Sequence, residues 1–241
     1  MNYVMSDLHG NSARFRSVMD KIHLSPDDRL YIGGDVIDRY PDGLALLRQI
    51  REMPNAQLIL GNHEYMMLNA LTPEGEALPW KRGPADAELY RWFCNGGQKT
   101  MRAYRTLSQA EQKELREYLT QLPLNLDLSV NGIAYKLVHA APLELFRWRY
   151  GAQYEDAVEF AVWHRFDDFR YLPEEYVMIF GHTPTAYYRN ESKVLSVWHG
   201  EGVIDIDCGS GFPPASDSAN FYQGRLACLR LEDMAEFYSD L

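Results

Sequence analysis

The chain has 241 residues, 46% hydrophobic and 24% charged, which is ample for a buried core and excludes a disordered or low-complexity protein. Lysine and arginine number 24 against 34 aspartates and glutamates, a net charge of −10 with no run of cations. That balance excludes wholesale nucleic-acid binding but leaves room for one small anion at a local cationic or metal site.

The chain opens on residues 1–7, which have neither the basic start nor the apolar stretch of a signal peptide. No apolar run nears the roughly 20 residues that span a bilayer. Three scattered cysteines, Cys94, Cys208 and Cys228, form no CxxC pair and fit a reducing compartment. A soluble, cytoplasmic protein with no membrane partner is expected.

Residues 3–5 read as a short strand. Asn11 can cap a helix with Phe15, Val18, Met19 and Ile22 at helical spacing. A second strand is expected over 30–32, a second helix over 43–53 with Leu44, Leu47 and Ile50 on one face, a third strand over 58–60 and a third helix over 64–71. This alternation predicts a largely parallel sheet, and ligands bind such sheets at the carboxyl ends of the strands. Polar residues collect there: Asp7-Leu8-His9-Gly10-Asn11, Gly34-Asp35-Val36-Ile37-Asp38-Arg39 and Gly61-Asn62-His63-Glu64.

Residues 72–83, with Pro73, Gly75, Pro79 and Gly83, read as an irregular insertion, and 85–94 as a helix. Ser108 and Glu111 form a capping-box pattern ahead of a helix to Leu119. Asn131-Gly132 separates two alternating strands, 124–130 and 133–138, as in a hairpin. Further strands are expected over 177–180, 203–206 and 226–231, and 209–224 is a loop rich in Gly, Pro and Ser. With no repeat, coiled coil or linker, the simplest packing is a single domain over 1–241, two sheets inside and helices outside.

Asp7, His9, Asp35, Asn62, His63, His139 and His182 all fall at strand ends. Asp7 and His9, two apart in an extended segment, would point to the same side. Taken singly, each has an ordinary explanation: a capped turn, a helix start, a core histidine. Together they form a donor set of carboxylate, imidazole and amide, which suits Mn, Fe or Zn better than Ca. A carboxylate such as Asp35 can bridge two ions, and ions roughly 3.5–4 Å apart clamp a phosphoryl group and lower the pKa of a shared water. His23, His164 and His199 lack such a setting and read as structural or surface residues.

The ordered set Ser6-Asp7-Leu8-His9-Gly10, Gly34 to Arg39, Gly61 to Glu64, Val138-His139-Ala140 and Gly181-His182-Thr183-Pro184 resembles the calcineurin-like metallophosphoesterases. Within them it is most similar to the Ser/Thr protein phosphatase (PPP) family of the phage lambda and bacterial type. Local matches at Trp92-Phe93-Cys94-Asn95-Gly96-Gly97, Val162-Trp163-His164-Arg165 and Ile204 to Gly209 support that branch. The resemblance implies an α/β fold, a two-sheet β-sandwich flanked by helices in four αββα layers. It implies two divalent metal ions (Mn, with Fe or Zn as alternatives). Asp7 and His9 would hold the first, Asp35 would bridge, and Asn62, His139 and His182 would hold the second. His63 would be the general acid with Asp38 as its partner, and Arg39 and Arg165 would bind phosphate oxygens.

The implied activity is hydrolysis of a phosphomonoester by a water activated between the metals, most like a phosphoprotein phosphatase. The alternative is a dinucleoside-polyphosphate hydrolase, such as one acting on diadenosine tetraphosphate, or another small-phosphoester hydrolase; a metal-binding regulatory scaffold is the non-enzymatic reading. Leu60 stands where the protein phosphatases usually carry arginine, a feature the diadenosine-tetraphosphate hydrolases share. Glu64 and Asp38 lean the other way. Residues 71–95 and 209–224 are expected to shape substrate access.

Overall fold

The computed structural model describes residues 1–76, 78, 84–146, 153–189, 193–213 and 222–240. Two five-stranded sheets form its centre. The first consists of β1 (Asn2–Met5), β2 (Arg29–Ile32), β3 (Ala56–Leu58), β9 (Ala227–Arg230) and β10 (Ala235–Tyr238), in the order β10-β9-β1-β2-β3. The second consists of β4 (Asn125–Val130), β5 (Ile133–Val138), β6 (Val177–Phe180), β7 (Trp198–Gly200) and β8 (Val203–Asp205), in the order β4-β5-β6-β8-β7. The helices are α1 (Ser12–Ile22), α2 (Gly43–Glu52), α3 (Asn62–Asn69), α4 (Pro84–Cys94), α5 (Gln98–Tyr104), α6 (Gln109–Thr120) and α7 (Ala157–Trp163).

Strand alternation builds the layers, because successive side chains of a strand point to opposite faces. In β1, Tyr3 and Met5 pack outward with Phe15 and Val18 of α1 and Leu47 and Ile50 of α2. Val4, between them, packs inward with Ile59 and Leu229 against Leu137, Ile179 and Ile204 of the second sheet. In β6 the pattern repeats: Ile179 faces the shared core, while Met178 and Phe180 face Phe160 of α7. The result is the four-layer αββα arrangement.

Neither sheet is largely parallel. Strand β1 runs parallel to β2, and β2 to β3, but β9 and β10 return antiparallel beside β1. The second sheet mixes the parallel pairs β5–β6 and β6–β8 with antiparallel β4–β5 and β7–β8.

Local signals act as expected where capping chemistry is explicit. Asn11 Oδ1 accepts the Arg14 N–H at 3.1 Å, and Ser108 Oγ accepts that of Glu111 at 3.3 Å. Asn131 and Gly132 turn the hairpin with φ of 52° and 81°, pairing Val130 with Ile133. The third strand lies two residues earlier than expected, because residues 59–60 already run into the loop; the Leu60 N–H donates to the Pro123 carbonyl at 2.9 Å. Helix α3 starts at Asn62, ahead of the expected 64.

Helices α5 and α7 and strands β7 and β10 are additional to the sequence expectation. Pro79 and Gly83, and residues 214–221 of the expected 209–224 loop, lie outside the described residues. Among the described residues, no helix is long and apolar enough to cross a membrane.

Candidate active site

The loops after β1 and β2 are zipped together by backbone hydrogen bonds. Asp7 N–H donates to the Gly34 carbonyl at 3.1 Å, His9 N–H to that of Asp35 at 2.8 Å and Gly10 N–H to that of Val36 at 2.7 Å. Asp7 and His9 have φ of 57° and 52°, so the segment is not extended. The expectation that strand alternation aims both side chains is corrected. Two left-handed residues fold the loop back and leave His9 Nε2 3.8 Å from Asp7 Oδ1.

Asp35 occupies the centre. Its Oδ2 lies 3.8 Å from His9 Nε2 and 3.7 Å from His63 Nε2, and its Oδ1 lies 3.5 Å from His139 Nε2. The sets His9, Asp35, His63 and Asp7, Asp35, His139 each offer ligand atoms within 4.8 Å of one another. Asp35 thus belongs to both sets, which divide the other residues differently from the expected sharing: His63 joins His9 in one, and Asp7 joins His139 in the other.

The hydrogen-bond chemistry of the second cluster fits a cation. His139 Nδ1 lies 2.7 Å from the Gly33 carbonyl oxygen, which only accepts, so this nitrogen carries the proton. Its Nε2 is then a bare lone pair facing Asn62 Oδ1 at 2.9 Å. His182 Nδ1 lies 2.8 Å from that same oxygen. Two acceptors this close, His139 Nε2 and Asn62 Oδ1, repel one another unless positive charge sits between them.

Burial acts in the same sense, since it penalises charge on both acids and imidazoles. It raises Asp7 well above the usual carboxylate range, with Asp207 and Asp35 adding repulsion, and raises Asp35 to about 7. It holds His9 and His182 well below the ordinary imidazole value and lowers His139. Two carboxylates, three neutral imidazoles and an amide oxygen fit Mn, Fe or Zn, in which charge and donor softness match.

His63 follows Asn62 at the start of α3 but turns elsewhere. Its Nδ1 lies 2.6 Å from Asp38 Oδ2, and its Nε2 lies 3.4 Å from Arg39 Nη2. Burial lowers His63 to about 4, against the attraction of Asp35, and raises Asp38 to about 7, opposed by hydrogen bonds from Thr100 and Trp92. Arg39 is half-buried beside this pair. Arg165 is exposed just beyond α7. Its positive charge nevertheless bears on His139, His182, Asp205 and Asp207, so it stands at the rim of the same site.

Every candidate site residue is therefore drawn to one region. His23, His164 and His199 are not: His23 ends α1, His164 is buried against Phe160 and Phe166, and His199 pairs with Glu236 at 2.8 Å.

Two contributors were not legible as such. The buried Glu64 carboxylate accepts N–H bonds from Asp35 and Val36 at 2.9 Å, Gly61 at 3.1 Å and Ile37 at 3.2 Å, clamping the Asp35 loop to α3. Gly61 permits this approach, since a Cβ there would lie 2.3 Å from the Asp35 nitrogen. Asp207, buried after β8, adds negative charge behind Asp7 and binds the Gly209 N–H at 2.9 Å. The same strand-end rule that marked the candidate ligands would have found it.

Comparison with known proteins agrees with this geometry. The family model for the calcineurin-like phosphoesterases matches residues 3–206. A symmetrical bis(5'-nucleosyl)-tetraphosphatase of Haemophilus ducreyi is 34% identical over 99 residues, 38% of this chain and 37% of the relative. That of Erwinia tasmaniensis is 37% identical over 68 residues, 27% of this chain and 25% of the relative. The matched stretches thus span well under half the length of these curated relatives. Among solved structures, a metallophosphoesterase from Sphaerobacter thermophilus shares the fold with a TM-score of 0.53, 15% identity and coverage of 100% of this chain and 87% of its own. A cold-active protein-tyrosine phosphatase of a Shewanella species does so with a TM-score of 0.51, 16% identity and coverage of 99% and 80%. With the family matched across most of its length, the chain belongs to the calcineurin-like phosphoesterases and is a hydrolase.

Proposed function

We propose that this chain hydrolyses small phosphoesters, and that dinucleoside polyphosphates such as diadenosine tetraphosphate are its first substrate class. The observation that carries this reading is the 34% identity to a symmetrical bis(5'-nucleosyl)-tetraphosphatase. Leu60 agrees with it. A buried leucine precedes Gly61-Asn62-His63, and no cation is offered there to a phosphomonoester. The protein-phosphatase reading accordingly moves to second place.

In this proposal Asp7, His9 and Asp35 would hold one divalent ion, and Asp35, Asn62, His139 and His182 the other, with Mn²⁺ the first metal to test. When bound, such ions neutralise phosphoryl charge and make hydroxide available near neutral pH. The chain's own groups do the rest. Arg39 and Arg165 bind phosphate oxygens, where a guanidinium can engage two at once. His63, held at Nδ1 by Asp38 with Nε2 beside Arg39, gives a proton from Nε2 to the leaving oxygen once the ring is doubly protonated. The whole chain acts as one catalytic unit, in the cytoplasm.

The His63–Asp38 pair favours the second reading, a phosphomonoesterase that accepts phosphoproteins. A nucleoside polyphosphate leaves readily without a proton, whereas an alcohol needs one. A panel on Mn²⁺-loaded enzyme separates the two. The expected order places kcat/KM for diadenosine tetraphosphate above that for a phosphoserine peptide and 4-nitrophenyl phosphate. A phosphopeptide turned over faster than diadenosine tetraphosphate would install the second reading.

A further inference from the structure

The segment Trp92 to Gly97 is apart from the metal-binding loops, yet it reaches the centre of the site. Trp92, fully buried on α4, donates its indole N–H to Asp38 Oδ2 at 2.8 Å. Thr100, buried on α5, donates its hydroxyl to Asp38 Oδ1 at 2.5 Å and accepts the Asp38 backbone N–H at 3.0 Å. Asp38 has a φ of 74°, a left-handed conformation that a side-chain-bearing residue keeps only when its surroundings hold it. Each carboxylate oxygen is therefore held by a donor other than His63.

The glycines between the two helices complete the support. A Cβ on Gly97 would lie 2.5 Å from Trp92 Nε1 and 2.6 Å from its ring carbons, so the backbone of Gly97 is the seat on which the indole lies. The neighbouring Gly96 carbonyl accepts the Arg39 N–H at 3.2 Å. One short connection thus braces Asp38 and Arg39 together.

From this arrangement we infer that Trp92 and Thr100 are positioning residues for acid catalysis. They lock the Asp38 carboxylate so that it holds His63 Nδ1 and aims Nε2 at the leaving oxygen, and Gly97 is required to seat Trp92. The inference rests on the reading of the site as a phosphoester hydrolase with His63 as its acid. Trp92 donates one hydrogen bond and nothing else polar, so Trp92→Phe removes that bond while keeping an aromatic core residue. Thr100→Val removes the hydroxyl at nearly constant volume.

The test compares kcat and KM of the Mn²⁺-loaded variants on phenyl phosphate, whose leaving group needs a proton, and 4-nitrophenyl phosphate, whose leaving group needs little. Each variant is expected to lower kcat on phenyl phosphate by roughly tenfold or more, the scale of one hydrogen bond to a buried carboxylate. On 4-nitrophenyl phosphate the change is expected to stay within about twofold, with KM unchanged on both esters. Gly97→Ala should reproduce the split. A second readout needs no turnover. In Zn²⁺-loaded protein the low-field proton resonance of His63 Nδ1–H should be sharp in the parent chain and broadened or absent in both variants.

Equal losses on the two esters, or no loss on either, with the resonance intact, would overturn the inference. If Trp92→Phe does not fold, Thr100→Val carries the same measurement. A parent chain that turns over no phosphoester would overturn the functional reading instead, and the resonance would still decide the positioning role.

Discussion

Six site residues sit in the left-handed backbone region: Asp7, His9, Asp35, Asp38, Arg39 and His182, with φ between 52° and 74°. For residues with a Cβ this costs roughly 1–2 kcal/mol each, and the fold supplies the compensation at identifiable points. The largest is Glu64. Replacing it by alanine would strand the four N–H groups of Asp35, Val36, Ile37 and Gly61 that it now satisfies. Glu64→Ala is expected to destabilise the protein by at least about 3 kcal/mol in urea unfolding, at about 1–3 kcal/mol per unsatisfied buried donor. It should also weaken divalent-ion binding. A loss below about 1 kcal/mol would show that water replaces the carboxylate freely. His63→Asn tests a different link. It should lower kcat by roughly 10²–10⁴ while leaving metal content in place. Metal loss in parallel with activity would reassign His63 as a ligand. The donor types at strand ends were readable because chemistry restricts which side chains can serve. The backbone that aims them was not, since Asp7-Leu8-His9 looks like an extended alternation until the loops from β1 and β2 are seen to bond each other.

Among the elements, those with a long periodic face or explicit end chemistry were legible. Helices α1 and α2 carry their apolar stripes, α6 its Ser108–Glu111 box, and β4–β5 the Asn131-Gly132 turn. Strand β7 is three residues long and β10 four, too short for a period to show. Helix α5 follows Gly96-Gly97, which reads as a break when the glycines in fact make room for Trp92 and Arg39. The capping contribution can be measured apart from catalysis. Ser108 and Glu111 are exposed on α6, which carries none of the site residues. Ser108→Ala should cost about 0.5–2 kcal/mol of stability and leave kcat/KM unchanged. A fall in activity without a fall in stability would mean that α6 communicates with the site in a way its packing does not reveal.

At the scale of the whole molecule, the fold concentrates buried negative charge on a chain whose net charge is already −10. Asp35 illustrates the consequence. Burial raises it from 3.8 to about 7 in the metal-free protein. Between those values the native chain binds a proton that the unfolded chain does not. Folding stability contributed by this group is therefore lost as pH rises through that window. A divalent ion reverses the balance, because it stabilises the ionised carboxylate and binds only the native arrangement. Binding must then displace a proton from Asp35 in most molecules at pH 6 and in far fewer at pH 8. Mn²⁺ affinity, measured by calorimetry on the metal-free protein, should rise with pH across this range. At pH 6 the observed enthalpy should differ between buffers of different ionisation enthalpy, and the difference should shrink at pH 8. In Asp35→Asn its share of the proton release and most of the affinity should disappear. A binding enthalpy independent of buffer at pH 6 would show that the central carboxylates are ionised before the metal arrives, and that something other than the ion already compensates their charge.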